Sequence, residues 1–243
     1  MNDFLVIENY QFDGVSKAGH KTCVILRTLN LAFDMGKCPE LAVSQVSSSV
    51  LTQGYVIYER KPKLKPKYLG LPQKEKAKLK LSGVEIDYLV ESPEVGFTGD
   101  TTADFIVNKD NVDVLKAKIL IMESTYLDKT KPVEDAREYG HTHLSEIIDY
   151  ADRFENKAIL LIHFSRRYTL DDIEKAISAL PPSLAGRVFA LKKGFDYSSK
   201  KPNSSLQNTG SSLSGKSEFI DSRGAVVQII PPPERMWMLE QKI

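Results

Sequence analysis

Three side chains that can bind a metal ion or transfer a proton stand where three apolar runs end. Asp100 follows VGFTG, Glu123 follows ILIM and His163 follows ILLI. In open α/β sheets, ligands bind beyond the carboxyl ends of the strands. Taken singly, each residue is more typical of a capping group at a strand end. If the three runs are neighbouring strands, however, the three side chains converge on one rim, which favours a site there.

Two further histidines lie in the sequence GHTH, at positions 141 and 143. A histidine at the entry to a helix is more often a surface or capping residue than a catalyst. His141 could approach the same rim, but its spacing alone is a weak signal. Residue types and periodicity therefore predict an Asp/Glu/His site on an α/β protein and nothing sharper.

The elements that must position these residues alternate along the chain. The segment LSEIIDYADRFENK has apolar residues three and four apart, which predicts a helix with one apolar face, and the helix predicted next ends at Pro181. Strands alternating with helices predict parallel crossovers and a layered α/β core. The predicted strands are 3–8, 23–34, 54–59, 94–100, 117–124, 158–165 and 186–194, and the predicted helices are 144–157 and 170–180.

The overall composition is that of an ordinary globular protein. Of 243 residues, 42% are hydrophobic and 27% charged, which suffices for a sizeable core. Cys23 and Cys38 are too few for a disulfide scaffold and predict buried thiols in a reducing compartment. No apolar run approaches the roughly 18 residues of a membrane span, and the N-terminal residues do not resemble a secretory signal. We therefore expect a cytoplasmic protein with no membrane partner, and a nuclear location remains open.

The net charge of +1 conceals a strongly basic segment, residues 60–80. It contains eight lysines and one arginine against Glu75 alone, so the segment carries +8 and the remainder −7. Such composition usually belongs to a solvated loop, and it can also form an anion-binding surface. Because Pro62, Pro66 and Pro72 interrupt it, we expect an exposed loop or arm.

The chain changes character after Phe195. Residues 196–220 are serine-rich and of low complexity, which predicts disorder. Residues 221–243 form a short tail that could add one edge strand or remain loose. The predicted domain is therefore 1–195.

Four phrases in this order resemble short-form tRNase Z, the family of zinc-dependent endoribonucleases that process the 3′ end of tRNA. They are GFTGDT (96–101), MESTYL (122–127), GHTHLSE (140–146) and LIHFSRRY (161–168). GHKTCVILRTLNLAFDMGKCP (19–39) also resembles the N-terminal strands of that family. The resemblance covers roughly residues 1–44 and 53–195 and implies a metallo-β-lactamase-like αββα sandwich.

The resemblance implies roles residue by residue. Asp100 would bridge two zinc ions, and His163 would bind the second ion. Glu123 and His141 would form a hydrogen-bonded catalytic pair that protonates the leaving 3′ oxygen, while the metals activate a water. Structural positions near the site would be Asp34, Gly99 and Thr101, and RNA contacts would come from Ser165, Arg167 and Tyr168.

The basic segment resembles the stretch that forms or adjoins the substrate arm of the family. We therefore expect it to contact precursor tRNA through phosphates. Aromatic residues within it are sparse, so base stacking is not expected there. The lysines assigned to RNA are Lys61, Lys63, Lys65, Lys67, Lys78 and Lys80.

One departure from the family decides what we expect of the chemistry. The H-x-H-x-D-H loop of the family should lie between LAVSQ and QGYVIY, but only VSSSVLT (46–52) joins those segments. Of seven ligands implied by the family, only Asp100 and His163 remain, and each zinc needs at least three protein ligands. We expect an incomplete N-terminal half of the sandwich, abnormal zinc binding and impaired catalysis.

An internal deletion, from splicing or a faulty gene assembly, is our hypothesis for the join. Three alternatives remain open at this point. The chain is an active endonuclease with altered metal binding, a non-catalytic variant that binds tRNA, or a nonfunctional truncated product. The variant could pair with a full-length subunit, because the family usually works as a homodimer.

Overall fold

A computed structural model describes residues 4–19, 21–29, 31–33, 54–197 and 236–241. Several of the positions discussed above fall outside these ranges. They are Asp34, Cys38, the join at 46–52 and residues 198–235 of the serine-rich segment and tail. The predictions made for them stay predictions.

The first sheet is formed mainly by the N-terminal strands. β1 (Leu5–Ile7), β2 (Tyr10–Ala18), β3 (Lys21–Leu26) and β4 (Leu31–Phe33) are antiparallel neighbours in chain order, and β9 (Phe164–Ser165) joins β2 in parallel. The strands predicted at 3–8 and 23–34 are confirmed, the second being divided by a 3-10 turn. Sequence analysis missed β2, because the alternation of apolar and polar residues in Tyr10–Asp13 is interrupted at Gly14.

The second sheet contains the three apolar runs as parallel neighbours, as predicted. Its order is β10-β8-β7-β6-β5-β11. The strands β6 to β8 and β10 are parallel, whereas β5 is antiparallel to both of its neighbours. The tail therefore adds an edge strand. The bounds are β5 (Gly54–Leu64), β6 (Asp87–Phe97), β7 (Ile119–Glu123), β8 (Ala158–Ile162), β10 (Val188–Ala190) and β11 (Met236–Gln241).

The two predicted helices are present, and one of them is shorter than its apolar pattern suggests. The predicted helix 144–157 ends at Asp149 and continues as a 3-10 turn. The other helices are short elements between strands, and in the described ranges none is long and apolar enough to cross a membrane. The helices are α1 (Gln73–Leu81), α2 (Val112–Lys116), α3 (Val133–Glu138), α4 (Leu144–Asp149) and α5 (Leu170–Ser178).

Two apolar cores define the layers. Phe12 and Leu26 of the first sheet pack with Val95 and Ile121 of the second, so the sheets face each other. Residues on the opposite side of β7 and β8 pack with the helices; this second core includes Leu120, Met122, Ile159, Leu161, Leu115, Leu144, Ile147 and Ile173. Strands covered on both faces are mainly apolar, as β8 is and as β7 is up to Met122.

This architecture confirms the predicted α/β sandwich. The described residues form three layers of it: sheet, sheet and helices. The described residues up to Phe33 contribute strands and a 3-10 turn to the first sheet. The prediction of an incomplete N-terminal half stays a prediction.

The basic segment 60–80 is more regular than its prolines predict. Pro62 lies within the β5–β6 ladder, opposite Leu89. A proline is tolerated more easily at the edge of a sheet, and among the described residues β11 pairs with β5 only as far as Glu59, with no strand beside Pro62 on that side. Pro66 opens a 3-10 turn and Pro72 precedes α1. Of the expected loop or arm, the arm is present, and it is a β-hairpin that carries a helix.

Candidate metal centre and acid–base pair

The parallel sheet brings three of the predicted residues to one rim. Glu123 is the last residue of β7, His163 follows β8 directly, and Asp100 lies three residues after β6. Because β6, β7 and β8 are adjacent, His163 Nδ1 lies 3.3 Å from Asp100 Oδ1 and 3.9 Å from Glu123 Oε2. The predicted convergence is therefore confirmed.

Glu123 is a fully buried carboxylate at the centre of this cluster. Its oxygens accept hydrogen bonds from the Thr101 backbone N–H at 2.7 Å and from Thr125 Oγ1 at 2.5 Å. Burial would raise the pKa of Glu123, but hydrogen bonds with His141, His163 and Thr125 outweigh it and hold that pKa below its usual range. Glu123 is thus an ionised anchor for the imidazoles beside it.

His141 is the partner of Glu123, as the resemblance implied. Its Nδ1 lies 3.1 Å from Glu123 Oε1. The preceding Gly140 has φ 73°, a left-handed conformation that ends α3 and turns the chain toward the rim. Thr142 then fixes the loop by donating its hydroxyl to the Thr101 carbonyl at 2.6 Å. Because Nδ1 is engaged by Glu123, Nε2 is the atom of His141 available for chemistry.

His163 has a left-handed backbone, with φ 61°. A non-glycine residue in this region stores strain of about 1–3 kcal/mol and persists only where its surroundings hold it. Ser16 of β2 accepts a hydrogen bond from the His163 N–H at 2.7 Å, and Thr125 Oγ1 lies 3.1 Å from the His163 carbonyl oxygen. The first sheet therefore helps to set the imidazole on the rim of the second.

Ser16 and Thr125 are site residues that sequence analysis missed. Thr125 could have been noticed, because it lies two residues after Glu123 in a strand-end segment where side chains alternate. Ser16 gave no signal, since its strand was not predicted and its partner is 147 residues away.

Three donors in this cluster fit a metal ion. Asp100, His141 and His163 each offer one ligand atom, and these atoms lie within 4.8 Å of one another. Two imidazoles and a carboxylate form a donor set that zinc accepts, with a fourth position left for water or substrate.

His143, the other histidine of GHTH, has a structural role. It is buried and caps α4: its Nδ1 accepts from the Ser145 N–H at 3.0 Å, and its Nε2 lies 3.0 Å from the Asp128 carbonyl. The expectation that such a histidine is a capping residue is confirmed for His143. Its nitrogens are therefore occupied away from the donor cluster.

The residues assigned to RNA contact after β8 differ in exposure. Arg167 is exposed, and its guanidinium lies 5.1 Å from the centre of the Tyr126 ring. Ser165 is buried and accepts from Arg167 Nε at 3.1 Å. Tyr168 is buried too, and its hydroxyl accepts from the Leu127 N–H at 2.9 Å. Tyr168 therefore supports the loop through its hydroxyl, and the RNA contacts assigned to Ser165, Arg167 and Tyr168 stay predictions.

The lysines of the arm lie at its surface, but part of their charge is compensated. Lys61 pairs with Glu59 at 2.7 Å, Lys65 with Glu85 at 3.0 Å and Lys80 with Asp87 at 2.6 Å. The acidic partners Glu85 and Asp87 lie just beyond residue 80, so counting charge within 60–80 overestimated the basic field. Lys63, Lys67 and Lys78 are exposed as well.

Near the site, Gly99 and Thr101 occupy the structural positions predicted for them around Asp100. Gly99 is buried with φ 67°, and the Thr101 N–H binds Glu123 as described above.

Comparison with curated proteins gives clear relatives. tRNase Z TRZ1 of Arabidopsis thaliana is 41% identical over 272 residues, covering 78% of this chain and 97% of that protein. The chloroplastic tRNase Z TRZ2 of the same plant is 31% identical over 272 residues, covering 78% and 77% respectively. No protein-family model matches the chain.

Among solved structures, human tRNase Z, short form, has 21% identity and a TM-score of 0.28, covering 47% of this chain and 38% of that one. A long form RNase Z from yeast has 26% identity and a TM-score of 0.26, covering 33% and 10%.

The alignment with tRNase Z TRZ1 also reveals a difference in length inside the matched region. It spans 272 positions, yet 78% of this 243-residue chain is about 190 residues. About 80 positions of the Arabidopsis thaliana protein therefore have no counterpart here. A gap of this size is what an internal deletion predicts.

Proposed function

Because this chain belongs to the tRNase Z family, we propose that it binds precursor tRNA and retains half of a 3′-processing endoribonuclease site, with catalysis by the single chain impaired. The observation that carries this proposal is the buried Glu123, which holds His141 Nδ1 while Asp100 and His163 lie in contact beside it. These four residues are the ones that the family resemblance assigned to chemistry.

The residues present suit the second half of a phosphodiester cleavage. His141 would donate a proton from Nε2 to the leaving 3′ oxygen, and Glu123 would stabilise the charged imidazole during that transfer. Asp100 and His163 would hold the metal, which when bound would neutralise phosphate charge and lower the pKa of a water toward neutrality. The partly exposed Asp100 and His141 leave the rim open to a substrate.

Impairment follows from the number of donors. The family resemblance implies five histidine and two aspartate ligands for two zinc ions, whereas the whole chain has four histidines. His143 is committed to the cap of α4, and the remaining donors of the described residues suffice for one ion at most. Two metal ions would stabilise the attacking and leaving oxygens together. The donors of the described residues are too few to support that arrangement.

The arm favours tRNA binding as the activity that survives. The β5–β6 hairpin and α1 are intact and present exposed lysines. Lysines that neutralise phosphates give affinity that falls steeply with salt and does not require the metal centre. A non-catalytic tRNA-binding protein, or one that pairs with a full-length subunit, is the second candidate on this ground.

The test is a paired binding and cleavage assay on the purified full chain with precursor tRNA. We expect salt-sensitive binding and cleavage at least about 100-fold slower than that of a family member with all seven ligands, since removing a single strong transition-state contact already costs about that much. Asp100→Ala should leave binding intact. Cleavage at the rate of the complete enzyme would overturn the impairment, and absence of binding, with broad noncooperative melting, would favour a nonfunctional product.

A further inference from the structure

His141 lies close enough to Asp100 and His163 to share a metal ion with them. One ligand atom from each residue falls within 4.8 Å of the others, and the rings of His141 and His163 have centres 5.2 Å apart. Donors bound at 2.0–2.1 Å to one tetrahedral zinc lie about 3.4 Å apart, so the widest pair must close by no more than about 1.4 Å. Shared between two side chains, this is a small rotamer adjustment.

The surroundings of His141 are those of a metal ligand. A histidine that binds a metal through one nitrogen usually donates its other N–H to a carboxylate or carbonyl, which fixes the ring and raises its basicity. Glu123 Oε1, 3.1 Å from His141 Nδ1, supplies that group. Glu123 is itself fixed by Thr101 and Thr125, so it cannot turn away.

The open side of the cluster faces solvent. The side chains of Asp100 and His141 are 30% and 21% exposed, whereas that of His163 is 8% exposed and Glu123 is fully buried. An ion can therefore enter from the Asp100 side and keep a water in its fourth position. The buried side supplies the rigid support that a preorganised site needs.

We infer that Asp100, His141 and His163 form a site for a single divalent transition-metal ion, in which His141 is a ligand and Glu123 its supporting carboxylate. This differs from the family pattern, in which His141 would be a proton donor beside two ions. Two imidazoles and one carboxylate suit Zn²⁺ and Co²⁺. Bound in this way, His141 Nε2 cannot also protonate a leaving oxygen, so the site would bind metal at the expense of acid catalysis.

Metal binding to the full chain tests this without any RNA. After chelator treatment and dialysis, Zn²⁺ should bind with a stoichiometry of one by calorimetry and elemental analysis. Co²⁺ should give visible absorption of the intensity typical of four-coordinate nitrogen and oxygen ligands. Two zinc ions per chain, or no binding to a chain that circular dichroism shows to be folded, would overturn the inference.

Two neighbouring histidines provide a matched pair of variants. His141→Ala should weaken Zn²⁺ binding by at least 100-fold, whereas His143→Ala should leave stoichiometry and affinity unchanged in the folded fraction. If His141 were only a proton donor, His141→Ala would bind zinc as the wild type does, and that result would refute the assignment. Asp100→Asn gives a second test of the ligand set should His141→Ala fail to fold.

Glu123→Gln separates a positioning role from a ligand role. It should keep one zinc per chain and lower affinity by about 10- to 100-fold, because the supporting carboxylate rather than a ligand is lost. These outcomes are independent of tRNA binding, so a failure here leaves the proposed tRNA binding and the proton-donor role of His141 standing. A success would replace that proton-donor role by metal binding and leave the tRNA binding to be tested separately.

Discussion

Thr125 connects the acid–base pair with the metal donors through one hydroxyl. Thr125 Oγ1 donates a hydrogen bond to Glu123 Oε2 at 2.5 Å, and Thr125 Oγ1 also lies 3.1 Å from His163 Nδ1. Both partners are buried, so water cannot replace the hydroxyl without rearrangement. At the scale of single residues, the orientation of His163 therefore depends on a side chain that is neither ligand nor catalyst.

Replacing Thr125 with valine should affect both stability and metal binding. The change keeps the shape of the side chain but leaves buried polar groups with fewer partners, at a cost of about 1–3 kcal/mol in the free energy of unfolding. Loss of this support should also weaken Zn²⁺ binding by about 10-fold or more. Denaturant unfolding and zinc calorimetry measure the two effects. Thr125→Ser, which keeps the hydroxyl, should restore zinc affinity; if it does not, the hydroxyl is not the relevant group.

The sequence was sufficient to identify part of this site and not the rest. Asp100, Glu123 and His163 could be found because each follows an apolar run, and parallel neighbours place strand ends together. His141 required the family resemblance, since a histidine in a loop has no period to mark it. Thr125 could have been found from its position two residues after Glu123, whereas Ser16 was beyond reach, because its role depends on a contact with a residue 147 positions away that local patterns do not encode.

At the scale of elements, the loop from α3 to α4 contains two histidines that are two residues apart and have different roles. The loop is fixed at its start by the hydrogen bond from the His141 N–H to the Ala136 carbonyl at 2.8 Å, and at its end by the capping box of His143 and Glu146. Arg137 of α3 also binds Glu146 at 2.7 Å. Because both ends are held, the loop presents His141 to the rim and turns His143 inward.

His143→Ala should destabilise the fold by about 1–2 kcal/mol, because it removes an N-cap and leaves the Asp128 carbonyl without this donor. Thr169→Ala, which removes the equivalent cap of α5 at a more exposed position, is the matched comparison and should cost about 1 kcal/mol or less. Chemical denaturation of both variants gives the two values. If Thr169→Ala lowered the free energy of unfolding more than His143→Ala does, the buried contacts of His143 would not contribute the extra stability expected of them.

The arm shows why counting charged residues along a sequence overestimates the electrostatic attraction of a surface for RNA phosphates. Lysines that already form ion pairs must exchange one partner for another before they contact phosphate, whereas Lys63, Lys67 and Lys78 have no ion pair with an acidic residue among the described residues. Two triple variants with the same change of charge can therefore differ in their effect on tRNA binding.

Lys63, Lys67 and Lys78 changed together to glutamine should lower the log–log salt slope of tRNA binding by about 2–3, given about 0.7–0.9 per phosphate contact. The matched triple variant of Lys61, Lys65 and Lys80 should lower it by less, because the released acidic partners change the local charge as well. Filter binding across a series of salt concentrations measures both slopes. Equal slopes would show that the ion pairs do not limit phosphate contact, and unchanged slopes would exclude the arm from tRNA binding.

At the scale of the whole molecule, the first sheet is held to the rest by contacts between residues far apart in sequence. β9, which follows His163, pairs with β2, and Asp13 of β2 binds Lys193 at 2.7 Å and Arg27 at 2.5 Å. Alternation of strands and helices predicted the second sheet and its helices, but the association of N-terminal strands with residues near 163 and 193 is long-range. No local pattern could have predicted it.

Asp13 makes this association dependent on pH. Burial would raise the pKa of Asp13, but hydrogen bonds from Lys193, Arg27 and the Gly14 N–H outweigh it and lower that pKa from 3.8 to about 2. A carboxyl with a lowered folded-state pKa stabilises the fold above its unfolded pKa, and this stabilisation is lost as pH falls toward the folded value. The half-exposed partners reduce the effect through solvent screening, to about 1–2 kcal/mol at pH 7.

Asp13→Asn should therefore lower the free energy of unfolding by about 1–2 kcal/mol at pH 7, and by roughly half as much at pH 3, where the wild-type carboxyl has lost part of its advantage. Urea unfolding at the two pH values measures both differences, with Asp149→Asn, at an exposed position at the end of α4, as the control that should change little at either. A difference between Asp13→Asn and wild type that is equal at pH 7 and pH 3 would mean that the ion pairs of Asp13 do not stabilise the junction. The first sheet would then depend for its attachment on β9, on the apolar core and on hydrogen bonds such as that from the His163 N–H to Ser16.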